Sequence, residues 1–233
     1  GRAMRRVVLL SLGGLALLAI GGFAGWRLHR PGADARAYAE MRLIAVQVSL
    51  DEAPPDYVFW AGDSQVELQP GSQRPCGLEF LNGGISGATA GSYAEYLARL
   101  TFKVHPRLAA LTIGTNDILV KNNPQLHKPT EQFEAAAETI IKRLQALSPR
   151  VVVTALPPVG REIGKLVEAG AVGDYSRRLQ NLCGRLGCIF TDPFASLRDG
   201  DTGYAKSGAL RDGLHLAAFR PALKAVEPAL CAP

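Results

Sequence analysis

The strongest constraint on the fold is a rhythm that begins at Tyr57. Short apolar runs, YVFWAG (57–62), LEFLNGG (78–84), LAALTIG (108–114), RVVVTALP (150–157) and CIFTDPF (188–194), alternate with longer amphipathic segments such as 130–147 and 174–186. In 130–147 Phe133, Ala136, Ala137, Ile140, Ile141 and Leu144 recur at helical spacing and form one apolar stripe, with Thr130 as the expected N-cap. The five short runs are nearly continuous in apolar residues, as strands of a parallel sheet must be when helices cover both faces. Strand and helix alternating in this way predict an α/β fold: a three-layer α/β/α, doubly wound, five-stranded parallel sheet of flavodoxin-like type. Neither an internal repeat nor a low-complexity tract interrupts it.

The chain ahead of that rhythm is different in kind. Residues 7–26, VVLLSLGGLALLAIGGFAGW, contain no charge, and 20 residues is the length a helix needs to cross a bilayer. A cleaved secretory signal is the alternative, but such signals have a shorter apolar region and end at a small-residue site, whereas this run leads into WRLHR. The expectation is a transmembrane anchor at 7–26, a linker or helical stalk at 27–55 and a catalytic-sized domain at 56–233. Arg2, Arg5 and Arg6 precede the span, which orients it with the N-terminus in the cytoplasm and the domain in the periplasm or outside the cell. Arg27, Arg30 and Arg36 after the span weaken that asymmetry.

Charge excludes one class of partner. The net charge of +5 arises wholly from the five arginines of residues 1–30, since the remaining 21 basic residues balance 21 acidic ones. With no basic face on the folded part, nucleic acid is not an expected partner. Four cysteines (Cys76, Cys183, Cys188, Cys231) suit an exported domain. Cys183 and Cys188 are close enough to bridge, yet four cysteines allow three pairings and free thiols are a further alternative. Without a C-x-x-C or a paired-histidine spacing, no metal is expected, and with neither G-x-G-x-x-G nor a P-loop, no nucleotide cofactor.

In a doubly wound sheet, ligands bind at the C-terminal ends of the strands. Those ends read GDS (62–64), NGGISGAT (82–89), GTND (114–117), LPPVG (156–160) and DPF (192–194), so glycine and polar residues gather where chemistry is done. Ser64 stands there at the start of a helix, and a serine nucleophile needs a base, a group to orient the base, and oxyanion donors. Of the four histidines, His29 flanks the apolar span and His105 precedes a strand at the opposite edge. His127 follows the third strand with no carboxylate partner evident. His215, in RDGLHL, has Asp212 three residues upstream, so one turn brings carboxylate to imidazole. Asp63 and Asp117 read as capping or loop-bracing acids, and Ser86 as a turn residue.

These blocks carry a resemblance. GDS, NGGISGAT, GTND and DGLHL match in order and spacing the motifs of the SGNH (GDSL-type) hydrolase superfamily, over about residues 56–230. The resemblance implies Ser64 as nucleophile, Asp212 and His215 as the rest of a catalytic triad, and an oxyanion hole formed by Ser64, Gly87 and Asn116. Gln65 departs from the family pattern, in which an aliphatic residue follows the serine; this bears on substrate preference more than on mechanism. G-x-S-x-G is absent around Ser64, which disfavours the unrelated α/β-hydrolase fold.

The expected activity is hydrolysis of acyl esters, with a short (acetyl) group on envelope or extracellular carbohydrate as the expected substrate. Only 22 residues lie between Ser64 and Gly87 and 28 between Gly87 and Asn116, too few for a large lid. Three rival readings remain: an acyltransferase using the same triad, a lysophospholipase or thioesterase, and a non-catalytic binding domain.

Overall fold

The computed structural model describes residues 31–232; the apolar stretch 7–26, with the membrane-spanning expectation attached to it, lies outside them. Among the described residues, no helix is long and apolar enough to cross a membrane. The chain divides into two compact units, Gly1–Met41 and Arg42–Pro233. Helix α1 (Pro31–Asp51) runs through the division.

The sequence suggested a linker as far as residue 55, whereas the larger unit begins at Arg42. From there α1 buries Leu43, Val46 and Leu50, spaced three and four apart on one face. Gln47 fastens the same stretch: its Nε2 donates to the Thr101 carbonyl at 3.1 Å and its Oε1 accepts the Thr101 N–H at 3.0 Å.

The remaining elements follow the predicted rhythm. They are β1 (Tyr57–Gly62), α2 (Ser64–Glu67), β2 (Glu79–Gly84), α3 (Ala90–Arg99), β3 (Leu108–Thr112), α4 (His127–Leu147), β4 (Val151–Thr154), α5 (Ala169–Leu186), β5 (Ile189–Thr191) and α6 (Arg220–Leu230). The five strands form one parallel sheet in the order β2-β1-β3-β4-β5, with β1 inside it between β2 and β3.

Two features of the helices depart from expectation. Helix α4 starts at His127, so Thr130 lies within its first turn instead of capping it. Its hydroxyl donates to the His127 carbonyl at 2.7 Å, and the position before the helix is Leu126, which has no capping side chain. Helix α5 begins at Ala169, five residues ahead of the expected amphipathic segment 174–186; Glu168 caps it by accepting the Gly170 N–H.

Strand periodicity places alternate side chains on opposite faces. Val58, Trp60, Phe80, Ala110 and Val152 pack with Leu223, Val226 and Leu230 of α6. Phe59, Leu81, Leu111 and Val153, turned to the other face, are fully or almost fully buried as well. A polar relay crosses the middle strands: Trp60 Nε1 donates to Thr112 Oγ1 at 3.1 Å, and the Thr112 and Thr154 hydroxyls are 2.8 Å apart. It lets three buried polar groups satisfy one another.

All four cysteines are paired. Cys183 bridges Cys188, as their proximity allowed, and Cys76 bridges Cys231 across 155 residues. In the loop-closure account, the longer bridge restricts the unfolded chain more, by about 5 kcal/mol against about 2 kcal/mol for the short one. We therefore expect Cys76→Ser/Cys231→Ser to lower the unfolding free energy more than Cys183→Ser/Cys188→Ser does. Chemical denaturation of both double variants, without reductant, compares the two losses directly; equal losses would contradict the ordering.

Candidate active site

The site is built where β1 ends. After Gly62 the chain turns through Asp63, fully buried, whose carboxylate caps α2 by accepting the Gln65 N–H at 2.9 Å. Its second oxygen accepts the Thr115 N–H at 3.3 Å, tying the β1 turn to the loop after β3. Ser64 is thereby the first residue of a four-residue helix, 7% exposed at the C-terminal edge of the sheet.

His215 comes from the other end of the chain. Its Nε2 lies 2.9 Å from Ser64 Oγ, and its Nδ1 lies 2.7 Å from Asp212 Oδ2. Asp212 Oδ1 accepts the N–H groups of Leu214 (3.0 Å) and His215 (2.7 Å), so one carboxylate shapes the turn and holds the imidazole. Partial burial pushes the Asp212 carboxyl up, but the bonds from the His215 ring and these two N–H groups outweigh it, and the net result is a fall to about 2. The carboxylate is therefore ionised at neutral pH and fixes the tautomer with the proton on Nδ1, which leaves Nε2 to accept the serine proton.

The loop carrying His215 is clamped from both sides. Arg211 N–H bonds the His215 carbonyl at 2.9 Å, and the Arg211 guanidinium donates to the carbonyls of Leu216 and Ala217. From the serine side, Gln65 Nε2 donates to the Leu214 carbonyl at 2.7 Å. Gln65 is buried, and its Oε1 has no hydrogen-bond partner among the described residues. The residue that departs from the family pattern thus joins the serine helix to the histidine loop. That role was hidden in the sequence by a separation of 149 residues.

The expected oxyanion donors border the same edge. Gly87 sits at φ +80°, where a side chain is strained, in an exposed turn with open space on its Cβ side. The N–H groups of Ser64 and Gly87 have no partner among the described residues. Asn116 Nδ2 donates to the Ala88 carbonyl at 2.9 Å, which orients the amide and leaves its second N–H for a ligand. Asn122 steadies the same loop by donating to the Asn116 carbonyl at 2.7 Å.

Asp63 and Asp117 serve as braces. Asp117 accepts the Ala90 N–H with both oxygens, at 3.1 and 3.0 Å, anchoring the start of α3. Burial pushes each of these carboxyls up to about 7. His127 stands apart on the surface and does have a carboxylate partner, Glu131, one helical turn on at 3.3 Å. His105 is exposed ahead of β3. Among the described residues, no group of three or more histidine, cysteine or acidic side chains could hold a metal ion.

The sequence pattern of the GDSL-like lipase/acylhydrolase family matches residues 52–218. No curated protein matches the chain. Several solved structures share the fold. A Streptococcus pneumonia protein provisionally described as a platelet activating factor is 21% identical, with 91% of this chain and 97% of that one covered and a TM-score of 0.70. The lipase/acylhydrolase from Enterococcus faecalis is 13% identical (76% and 97% covered, TM-score 0.58). An acetyl xylan esterase is 18% identical (74% and 97% covered, TM-score 0.57).

The buried Asp63 carboxyl has a direct consequence for stability. Its folded pKa of about 7 exceeds its ordinary value of 3.8. The folded state therefore holds the proton more tightly, so this stabilising contribution is complete below about pH 4 and is lost as pH rises through about 7. In Asp63→Asn, which is permanently neutral, unfolding free energy should decline less steeply between pH 4 and 8 than in the parent. Denaturant titrations across that range measure the slope, and an unchanged slope would refute the assignment.

Proposed function

The chain belongs to the GDSL-like lipase/acylhydrolase family, and from that membership and the geometry around Ser64 we propose a serine esterase that removes short acyl groups, acetyl foremost, from carbohydrate. The observation that carries the reading is the continuous line from Ser64 Oγ through both His215 nitrogens to the ionised Asp212.

The chemistry follows from that line. Ser64 Oγ attacks the ester carbonyl carbon as its proton passes to His215 Nε2, and Asp212 stabilises the resulting imidazolium. The carbonyl oxygen, now negative, takes hydrogen bonds from the N–H groups of Ser64 and Gly87 and from the Asn116 amide. Collapse expels the alcohol, which leaves with the proton from Nε2, and an acyl-serine remains. Water then repeats the sequence: its proton goes to Nε2, its oxygen to the acyl carbon, and the acid departs as Ser64 recovers its proton.

One observation supports a short acyl group: the segments between Ser64, Gly87 and Asn116 are too short to form a large lid over a long chain. A carbohydrate alcohol is the substrate class this reading adopts, and a solved acetyl xylan esterase shares the fold. The same reading tethers the domain through residues 7–26 on the outer side of a membrane. Two disulfides support that compartment, because such bonds persist in oxidising surroundings.

Ser64→Ala and His215→Ala should each remove nearly all activity, and Asn116→Ala should lower kcat by roughly 10²–10³-fold, the usual loss for one oxyanion donor. Across nitrophenyl esters from acetyl to decanoyl, kcat/KM should peak at two to four carbons. A steady rise to eight or ten, at about 0.8 kcal/mol per buried CH₂, would instead indicate a lysophospholipase or thioesterase. For the location, protease added to spheroplasts should digest the domain; survival until lysis would reverse the topology.

A further inference from the structure

The element that the sequence suggested as a stalk reaches the catalytic machinery. Arg42, on α1, lies outside the segment the family pattern matches, which begins at residue 52. Its Nε donates to the Gly84 carbonyl at 2.8 Å and its Nη2 to the Asn82 carbonyl at 2.9 Å, both at the C-terminal end of β2. Nη2 also reaches Asn82 Oδ1 at 3.3 Å, and Nε lies 3.7 Å from Glu67 Oε1. The Arg42 side chain is 21% exposed and that of Glu67 14%.

Glu67 is the last residue of α2, the helix that Ser64 begins. Its other oxygen, Oε2, accepts the Ser86 N–H at 2.6 Å, and Ser86 immediately precedes Gly87. Asn82 makes a second tie between the two segments: its Nδ2 donates to the Val66 and Glu67 carbonyls at 2.8 and 3.2 Å, and its Oδ1 accepts the Gly84 N–H at 2.9 Å. There is no slack between them. A Cβ built on Gly84 would lie 2.2 Å from the Glu67 nitrogen.

We propose that Arg42 is a positioning residue for the oxyanion hole, setting the spacing between the Ser64 helix and the Gly87 turn through Gly84, Asn82 and Glu67. The proposal rests on the esterase reading above. Without the guanidinium, two backbone carbonyls, an amide oxygen and a carboxylate converge with no shared donor, and a largely desolvated set of acceptors repels itself apart. The Glu67 side chain then loses the guanidinium beside Oε1, its hold on Ser86 through Oε2 loosens, and the Gly87 N–H moves relative to the Ser64 N–H. Lysine cannot replace the arginine, because a single ammonium lacks the planar fork that meets Gly84 and Asn82 together.

The test uses the full chain with Arg42→Met, Arg42→Lys, Glu67→Leu and, in parallel, Ser64→Ala. Turnover of 4-nitrophenyl acetate is expressed per active serine, titrated with a fluorophosphonate, and an alkylboronic acid probes the tetrahedral state. The Arg42 and Glu67 variants should lose about 10- to 100-fold in kcat, the scale of a misplaced oxyanion donor. Their KM should stay within about threefold, and boronate affinity should weaken by the same factor as kcat. A purely structural role would lower the melting temperature while leaving kcat per titrated serine and boronate affinity at the parent values; that result overturns the proposal. If Arg42→Met does not fold, Arg42→Lys, which keeps the charge, decides between the same two results. Activity surviving in Ser64→Ala would overturn the esterase reading and this proposal with it. An inactive Ser64→Ala beside fully active Arg42 variants would overturn this proposal alone.

Discussion

Two segments of the site are tied together by one buried carboxyl, that of Asp63. Asp63 takes the N–H of Gln65 with one oxygen and that of Thr115 with the other, so the turn after β1 and the loop after β3 share an anchor. From the first side come the serine and, through Gln65, the loop that carries the histidine. From the second comes Asn116, one residue beyond Thr115. Burying a carboxyl so completely is unfavourable to its charged form; burial, together with the nearby Asp117 charge, pushes it up to about 7 against the bonds from Gln65 and Thr115. The turn tolerates that cost because without the carboxyl the Gln65 and Thr115 N–H groups would be left unpaired.

Much of this is legible in the sequence. The five apolar runs became the five strands, because a strand covered on both faces needs nothing but apolar residues and turn signals at its ends. The blocks GDS, NGGISGAT, GTND and DGLHL could be set at one edge of the sheet, because a parallel topology puts every strand's C-terminal end there. Asp212 and His215, three residues apart, needed only a local turn to meet.

What stayed hidden was long-range or unpatterned. Nothing near Gln65 reveals that its amide will meet a carbonyl 149 residues away, so its departure from the family pattern suggested substrate preference instead of loop fastening. Helix α1 gave no stripe to read: Leu43, Val46 and Leu50 are buried, but Ile44 and Val48 between them are apolar too and lie exposed. With apolar residues on both faces, periodicity cannot say which one meets a core. Thr130 had the chemistry of a cap at the right offset from an apolar stripe, yet α4 begins a turn earlier, since helix ends are set by loop closure as much as by capping preference.

The Cys76–Cys231 bridge changes how the molecule carries a mechanical load. Tension applied at the two ends of the chain passes along the backbone only as far as Cys76, crosses the sulfurs, and leaves at Cys231. Residues 77–230 lie off the loaded path, and with them β2 to β5, every helix from α3 to α6, and His215. The stretch that does bear force contains Arg42, β1 and Ser64. Strand β1 is held between two parallel neighbours, so pulling along its length shears two ladders at once, which resists extension far better than peeling an edge strand. A chain drawn tight from its N-terminal side would thus keep its covalent frame closed from Cys76 to Cys231, and α1, ahead of β1, would give way before the strand that leads to Ser64.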